Sequence, residues 1–149
     1  MSKVKDYIYR PEFECMSRSE MENLQSERLR KTVERVYNNC KPYRAKMDEL
    51  KLKPSDIKSV SDLSKLPFTV KHDLREAYPF GFYSAPSDEI VEVHASSGTT
   101  GKLTVVGYTQ NDIDVWAEIA ARSLAMAGVT KSSMVHVAYG YGLFTGGLG

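Results

Sequence analysis

The stretch Ile90-Val91-Glu92-Val93-His94-Ala95-Ser96-Ser97-Gly98-Thr99-Thr100-Gly101-Lys102-Leu103-Thr104-Val105-Val106-Gly107-Tyr108 decides the fold. Its first six residues alternate as a half-buried strand does. Residues 103–108 are rich in β-branched side chains and predict a second strand. Between them lies a run of hydroxyls and glycines. Beyond them, Thr109 and Asp112 have capping-box spacing for a helix over residues 110–127, with Gly128 as its natural terminator. Ile113, Trp116, Ala120, Leu124 and Ala127 fall on one face of that helix, and Val115, Ile119 and Met126 widen it, which predicts a well-buried element. Residues 134–139, Met-Val-His-Val-Ala-Tyr, read as a third strand. Strand, helix and strand in that order predict a βαβ unit with a right-handed crossover.

Upstream the character changes. Residues 1–75 hold 17 Lys/Arg against 12 Asp/Glu, a charge of +5, whereas residues 76–149 hold 3 against 7, a charge of −4. All ten glycines fall at Gly81 or later. The first half therefore reads as charged helices and the second as strands punctuated by turns. A long helix is predicted over residues 19–40, opened by Ser19 with Glu22 and supported by Glu27 four residues before Lys31. Leu29, Val33, Val36, Tyr37 and Cys40 form its apolar stripe. Pro42 opens a further helix to about Leu50. Ser59 with Asp62, and Thr69 after Pro67, offer N-caps for shorter pieces, and Tyr78-Pro79-Phe80-Gly81 closes this half. The expected architecture is α/β: a helical lead over residues 1–88, then an α/β portion over 89–149.

Size and composition set further limits. The 149 residues are 42% hydrophobic and 26% charged, with a net charge of +1. This is too apolar and too nearly neutral for a disordered tail, and too nearly neutral for nucleic-acid binding by bulk charge. No apolar run reaches the roughly 18 residues of a membrane span, and the first ten residues hold no export-type apolar region. A cytoplasmic location is expected. Cys15 and Cys40 have no CxxC or metal-ligand spacing and read as reduced thiols. His72, His94 and His136 are scattered, and no resident metal is expected.

The chemistry concentrates in Ser96, Ser97, Gly98, Thr99, Thr100, Gly101 and Lys102. Glycines let successive backbone N–H groups turn into one concavity, hydroxyls add donors, and Lys102 is one of three basic residues after residue 75. The plain alternative is a polar hairpin connection, but hairpin loops usually take about 2–5 residues. It is not a Walker A loop, since only two residues separate Gly98 from Gly101. Nor is Gly140-Tyr141-Gly142-Leu143-Phe144-Thr145 a dinucleotide fingerprint, because its sixth position is Thr. The aromatics Tyr139, Tyr141 and Phe144, spaced by Gly140 and Gly142, can line a flat slot for an aryl group, or fill the interior at a strand end. His94 and Trp116 read as structural, Asp112 as a cap, and the basic first helix as a solvated face.

The run from Ser97 to Lys102 resembles the phosphate loop of the adenylate-forming superfamily. More narrowly, the chain resembles the phenylacetate–CoA ligase family. That likeness rests on the wider run through Val105-Val106-Gly107-Tyr108-Thr109, on Leu66-Pro67-Phe68-Thr69 with Asp73-Leu74-Arg75, on Tyr78-Pro79-Phe80-Gly81, and on Tyr139-Gly140-Tyr141-Gly142-Leu143-Phe144-Thr145-Gly146-Gly147-Leu148-Gly149. Leu103 departs from it, as proline is usual there, while Thr104 fits the narrower family. The resemblance implies ATP phosphates on Ser96 through Lys102, an aryl acid beside Tyr139, Gly140, Tyr141, Gly142 and Phe144, and ATP, Mg2+ and CoA as cofactors or substrates. It implies an N-terminal part of a longer ligase, whose catalytic residues and small C-terminal domain lie beyond Gly149. The isolated chain would then be inactive in overall ligation. Small molecules are the expected partners, with no nucleic acid and no membrane, and a homodimer is compatible. A different reading is a non-catalytic oligomerisation module, since an open sheet edge and exposed apolar surface favour self-association.

Overall fold

Two helices of the lead make the only compact apolar centre among the described residues. The computed structural model describes residues 8–96 and 103–138. Helix α1 spans Pro11–Glu14, α2 Arg18–Asn39 and α3 Lys41–Glu49. Helix α2 starts one turn-position earlier than its spacing suggests, and on a different cap. Ser17 Oγ accepts from the Glu20 amide at 3.3 Å, and the Glu20 carboxylate accepts from the Ser17 amide at 2.8 Å. Ser19 lies inside the helix, and Glu22 pairs instead with Arg18 Nε at 2.7 Å. Two Ser-x-x-Glu frames overlap here, and the one with a free helix entry takes the cap.

The predicted stripe of α2 is the one that goes inside. Val33 packs with Met47 of α3 and Ile57, and Leu29, Tyr37, Tyr43, Leu52 and Leu66 close around them. Met47 and Cys40 are essentially inaccessible. Pro42 sits in the first turn of α3, where its missing N–H costs nothing. Short 3-10 turns follow over Pro54–Asp56 and Val60–Lys65. The Asp62 carboxylate accepts from the Lys58 and Ser59 amides, at 2.9 and 3.1 Å. Helix α4 spans Lys71–Glu76, capped at Val70 rather than at Thr69. Asp73 decides this: its Oδ2 accepts from the Val70 amide at 2.8 Å and pairs with Lys46 Nζ at 2.9 Å, pinning α4 to α3.

Strand β1 spans Ile90–Ala95, as its alternation predicts, and β2 spans Val105–Thr109. They pair antiparallel, Val93 opposite Gly107 and Ala95 opposite Val105. The second strand starts two residues later than predicted because the Thr104 amide bonds a side chain, as described below. Helix α5, Gln110–Met126, carries the predicted cap: the Asp112 amide donates to Thr109 Oγ1 at 3.3 Å, and the Thr109 amide to Asp112 Oδ2 at 2.9 Å. It ends in a Schellman motif. Gly128 has φ +91°, its amide donates to Ala125 O at 2.9 Å, and Val129 N to Leu124 O at 3.0 Å.

Two expectations are corrected. Of α5 only Ala125 is buried, while Val115, Ile119, Leu124 and Met126 are exposed. The helix meets the sheet through Trp116, and its second half lies beside α1, where Arg10 pairs with Glu118 at 3.1 Å and Arg122 with Glu14 at 3.5 Å, yet most of its apolar stripe stays exposed. Residues 134–138 form no strand and are exposed, Met134 almost completely. The predicted βαβ unit is therefore not formed by the described residues. Alternating side chains supply a strand's pattern, but a ladder also needs a neighbouring edge to bond. Among the described residues the sheet is the antiparallel pair β1–β2. Tyr139 lies outside the described residues.

Candidate functional site

The end of the hairpin is where β1 delivers its last side chains. Ser96 N donates to Thr104 O at 3.0 Å, and Thr104 N donates to Ser96 Oγ at 3.1 Å. The two residues thus extend the ladder by one rung beyond Ala95 and Val105, and half of that rung is a side chain. A serine hydroxyl accepts there what a backbone carbonyl would accept in a regular pair. The consequence is positional. The pair fixes the mouth at which the described part of β1 ends and that of β2 begins.

Of the predicted phosphate contacts, Ser96 lies at that mouth. Ser97, Gly98, Thr99, Thr100, Gly101 and Lys102 lie outside the described residues, as do Tyr139, Gly140, Tyr141, Gly142 and Phe144 of the predicted aryl slot.

Directly behind the mouth, His94 is buried, with only 2% of its surface exposed. Its Nε2 contacts the Glu92 carboxylate two residues back on the same strand face. Its ring meets Tyr108 edge-on at 5.3 Å and Trp116 at 5.8 Å, and Tyr108 and Trp116 lie 5.2 Å apart. This aromatic cluster ties β1, β2 and α5 together, which agrees with the structural reading of His94 and Trp116. Asp112 caps α5, and Asp114 instead accepts from Gln110 Nε2 at 2.9 Å, so the two acids act separately.

The opposite face of the hairpin is set by Gly107. A Cβ there would lie 2.6 Å from both Cζ and OH of Tyr83, so glycine is what lets the phenol lie against β2. Burial pushes the Tyr83 hydroxyl above the usual phenol range. A cavity of about 280 Å³ runs along this seam, with Arg35, Leu74, Tyr83, Ala85, Gly107 and Asp112 among its lining. It lies under β2 and involves neither Ser96 nor Thr104. Tyr83 and the buried face of Thr104 were not legible as site-forming residues. The one signal was Gly107 itself, a glycine inside a strand pattern, which marks a close approach.

Among the described residues no group of three or more His, Cys, Asp or Glu side chains is placed to hold a metal ion, and no helix is long and apolar enough to cross a membrane. Both thiols are free, Cys40 buried and Cys15 exposed.

Comparison with known proteins gives this geometry a context. No family model matches the chain. It is similar to a solved 2-hydroxyisobutyryl-CoA ligase in the postadenylation state in complex with 2-HIB-AMP, with a TM-score of 0.78 and 30% identity over 89% of this chain and 28% of that one. The fold is that of part of an adenylate-forming CoA ligase. More narrowly, the chain is a homologue of phenylacetate–CoA ligases. It is 53% identical over 142 residues to the enzyme of that name from Thermus thermophilus, covering 95% of this chain and 32% of the other. With that from Escherichia coli it shares 54% over 136 residues, covering 91% and 31%. The chain thus spans about a third of the length of the curated relatives it matches.

Proposed function

We propose that the protein to which this chain contributes is a ligase that activates phenylacetate, or a closely similar aryl acid, with ATP. The acid's carboxylate attacks the α-phosphorus in line, a P–O bond to the β-phosphate breaks, and pyrophosphate leaves an acyl-adenylate. The thiol of CoA then attacks the acyl carbon and AMP departs, leaving the thioester. The observation that carries this reading is the 53–54% identity to phenylacetate–CoA ligases over more than nine-tenths of the chain.

The chemistry fits what these residues can offer. In-line displacement at phosphorus demands positioned oxygens and neutralised charge more than a protein nucleophile. Backbone amides and hydroxyls from Ser96 to Thr100, with Gly98 and Gly101 permitting close approach and Lys102 adding a positive charge, would hold the triphosphate. The Ser96–Thr104 rung supports this role by fixing where that segment begins and ends. Magnesium would bind chiefly through phosphate oxygens, as it commonly does, so a dedicated set of acidic ligands is not required of this chain. Tyr139, Gly140, Tyr141, Gly142 and Phe144 would face the ring of the acid. Within the whole protein, residues 1–88 would form the helical lead and 89–149 the first α/β portion.

Phenylacetate-dependent exchange of pyrophosphate into ATP tests the reading, run on the full-length gene product and on the 149-residue chain in parallel. Exchange by the full protein that requires phenylacetate, and that falls in Lys102→Ala, is the expected result. The chain alone, a third of the relatives' length, is expected to give no overall ligation. Exchange indifferent to any aryl acid overturns the assignment. A second reading, self-association, is favoured by the exposed side chains of Val115, Ile119 and Met126 on α5. A dimer in sedimentation whose formation is abolished by Ile119→Lys would support it.

A further inference from the structure

Two of the most buried polar side chains of the hairpin each keep one atom without a hydrogen-bond partner among the described residues. They are Nδ1 of His94, a residue 2% exposed, and Oγ1 of Thr104, 8% exposed. A buried polar atom left unpaired carries its full desolvation penalty, so each such atom in a folded protein calls for an explanation.

The pairing register puts them on the same face. His94 is opposite Val106 and Ala95 opposite Val105. Ser96 and Thr104 form the next rung through the bond from Ser96 N to Thr104 O. Side chains alternate along each strand, so residues 94, 96, 104 and 106 share one face, that of Tyr108 and α5. His94 and Thr104 are then diagonal neighbours across the two strands. Diagonal neighbours lie about 7–8 Å apart along the backbone and closer between side chains. Such a separation suits a bridge of one water better than a direct bond.

Their chemistry is complementary. With Nε2 of His94 on the Glu92 carboxylate, that nitrogen carries the proton, and in the neutral ring Nδ1 presents a lone pair. The Thr104 hydroxyl can donate. A water between them satisfies both, and buried waters ordinarily occupy such polar gaps.

We propose that one ordered water joins His94 Nδ1 to Thr104 Oγ1. The chain Glu92–His94–water–Thr104 then fixes the point at which the polar loop re-enters β2. Thr104 already spends its amide on Ser96 Oγ, so holding its hydroxyl as well removes the rotation left to the rung. This role rests on reading residues 96–102 as a phosphate-binding segment. His94 and Thr104 are positioning residues within it, and neither touches substrate.

The test is nitrogen NMR of the His94 ring at mildly alkaline pH in the 149-residue chain, in Thr104→Val and in Thr104→Ser, with a high-resolution crystal structure of the unsubstituted chain. The expected results are a ring protonated at Nε2 and an Nδ1 resonance shifted by hydrogen bonding. The shift is lost in Thr104→Val and restored in Thr104→Ser, with the Trp116 indole resonance unchanged as evidence of intact packing. A water within hydrogen-bond distance of both atoms is expected in the crystal. A ring protonated at Nδ1, a resonance indifferent to Thr104→Val, or a crystal with no such water overturns the proposal. Should Thr104→Val fail to fold, the tautomer and the water are still read in the unsubstituted chain. None of these readouts involves nucleotide, so failure here is distinct from failure of ATP binding.

Discussion

Ser96 and Thr104 face one another at the end of the hairpin where β1 gives way to the segment leading to β2, and each supplies the other with a hydrogen bond, at 3.0 and 3.1 Å. One of the two acceptors is the Ser96 side chain, so a single oxygen holds half of the loop's mouth. Ser96→Ala removes it and leaves the Thr104 amide with no acceptor in a largely buried setting. A loss of about 1–3 kcal/mol is expected for an orphaned buried donor. Hydrogen exchange at the Thr104 amide should accelerate far more than at His94 or Val106, the next hydrogen-bonded pair of the ladder. Equal acceleration at all three would mean that the rung is not a separate unit.

Gly107 and Tyr83 make a second pair whose dependence can be measured. Gly107→Ala brings a methyl to 2.6 Å from the phenol's Cζ and OH, so the ring must move. Because the displaced atoms are the end of a side chain, the cost should lie near the low end of the roughly 1–3 kcal/mol typical of overpacking. In a Tyr83→Leu background that cost should largely vanish. A double-mutant cycle by urea denaturation reads the coupling, and additive losses would contradict the contact.

Met47 of α3 is wholly buried against α2 and Ile57, in the apolar cluster of the described lead. Met47→Ala is expected to destabilise by about 2–5 kcal/mol. Substituting Met126, which is 84% exposed on α5, should cost little. Thermal unfolding of the two variants side by side distinguishes a core confined to the lead from one shared with α5.

Acid should loosen the lead at Asp62. A hydrogen bond from Lys65, then the Lys58 and Ser59 amides, lower this carboxyl to about 2. An ordinary aspartate titrates near 3.9. The folded pKa lies below the unfolded one, so the contribution is fully present above about pH 4 and is lost as pH falls towards 2. Denaturation midpoints measured between pH 5 and 2 should fall less steeply in Asp62→Asn than in the unsubstituted chain.

Much of this was legible in the residues. Alternation in Ile90–Ala95 predicted β1 to the residue, Thr109 with Asp112 predicted the start of α5, and Gly128 its end. Each of these signals is local: a period of two, a side chain within reach of the third amide ahead, a φ that only glycine adopts freely. Where two local signals overlapped, the sequence could not rank them. Ser17 and Ser19 both precede a glutamate by three, and in the structure Ser17 takes the cap while Glu22 pairs with Arg18.

What the order of residues determined by itself was therefore the run of helices and the hairpin, because each is encoded within a few neighbours. Tertiary structure alone decided which apolar stripes found a partner. Val33 and Met47 are inside, while Val115, Ile119 and residues 134–138 are exposed despite equally regular patterns. It also decided that a histidine and a threonine would be buried on one face of the hairpin. Burial and register are properties of two surfaces brought together, and neither surface carries the other's geometry in its own sequence.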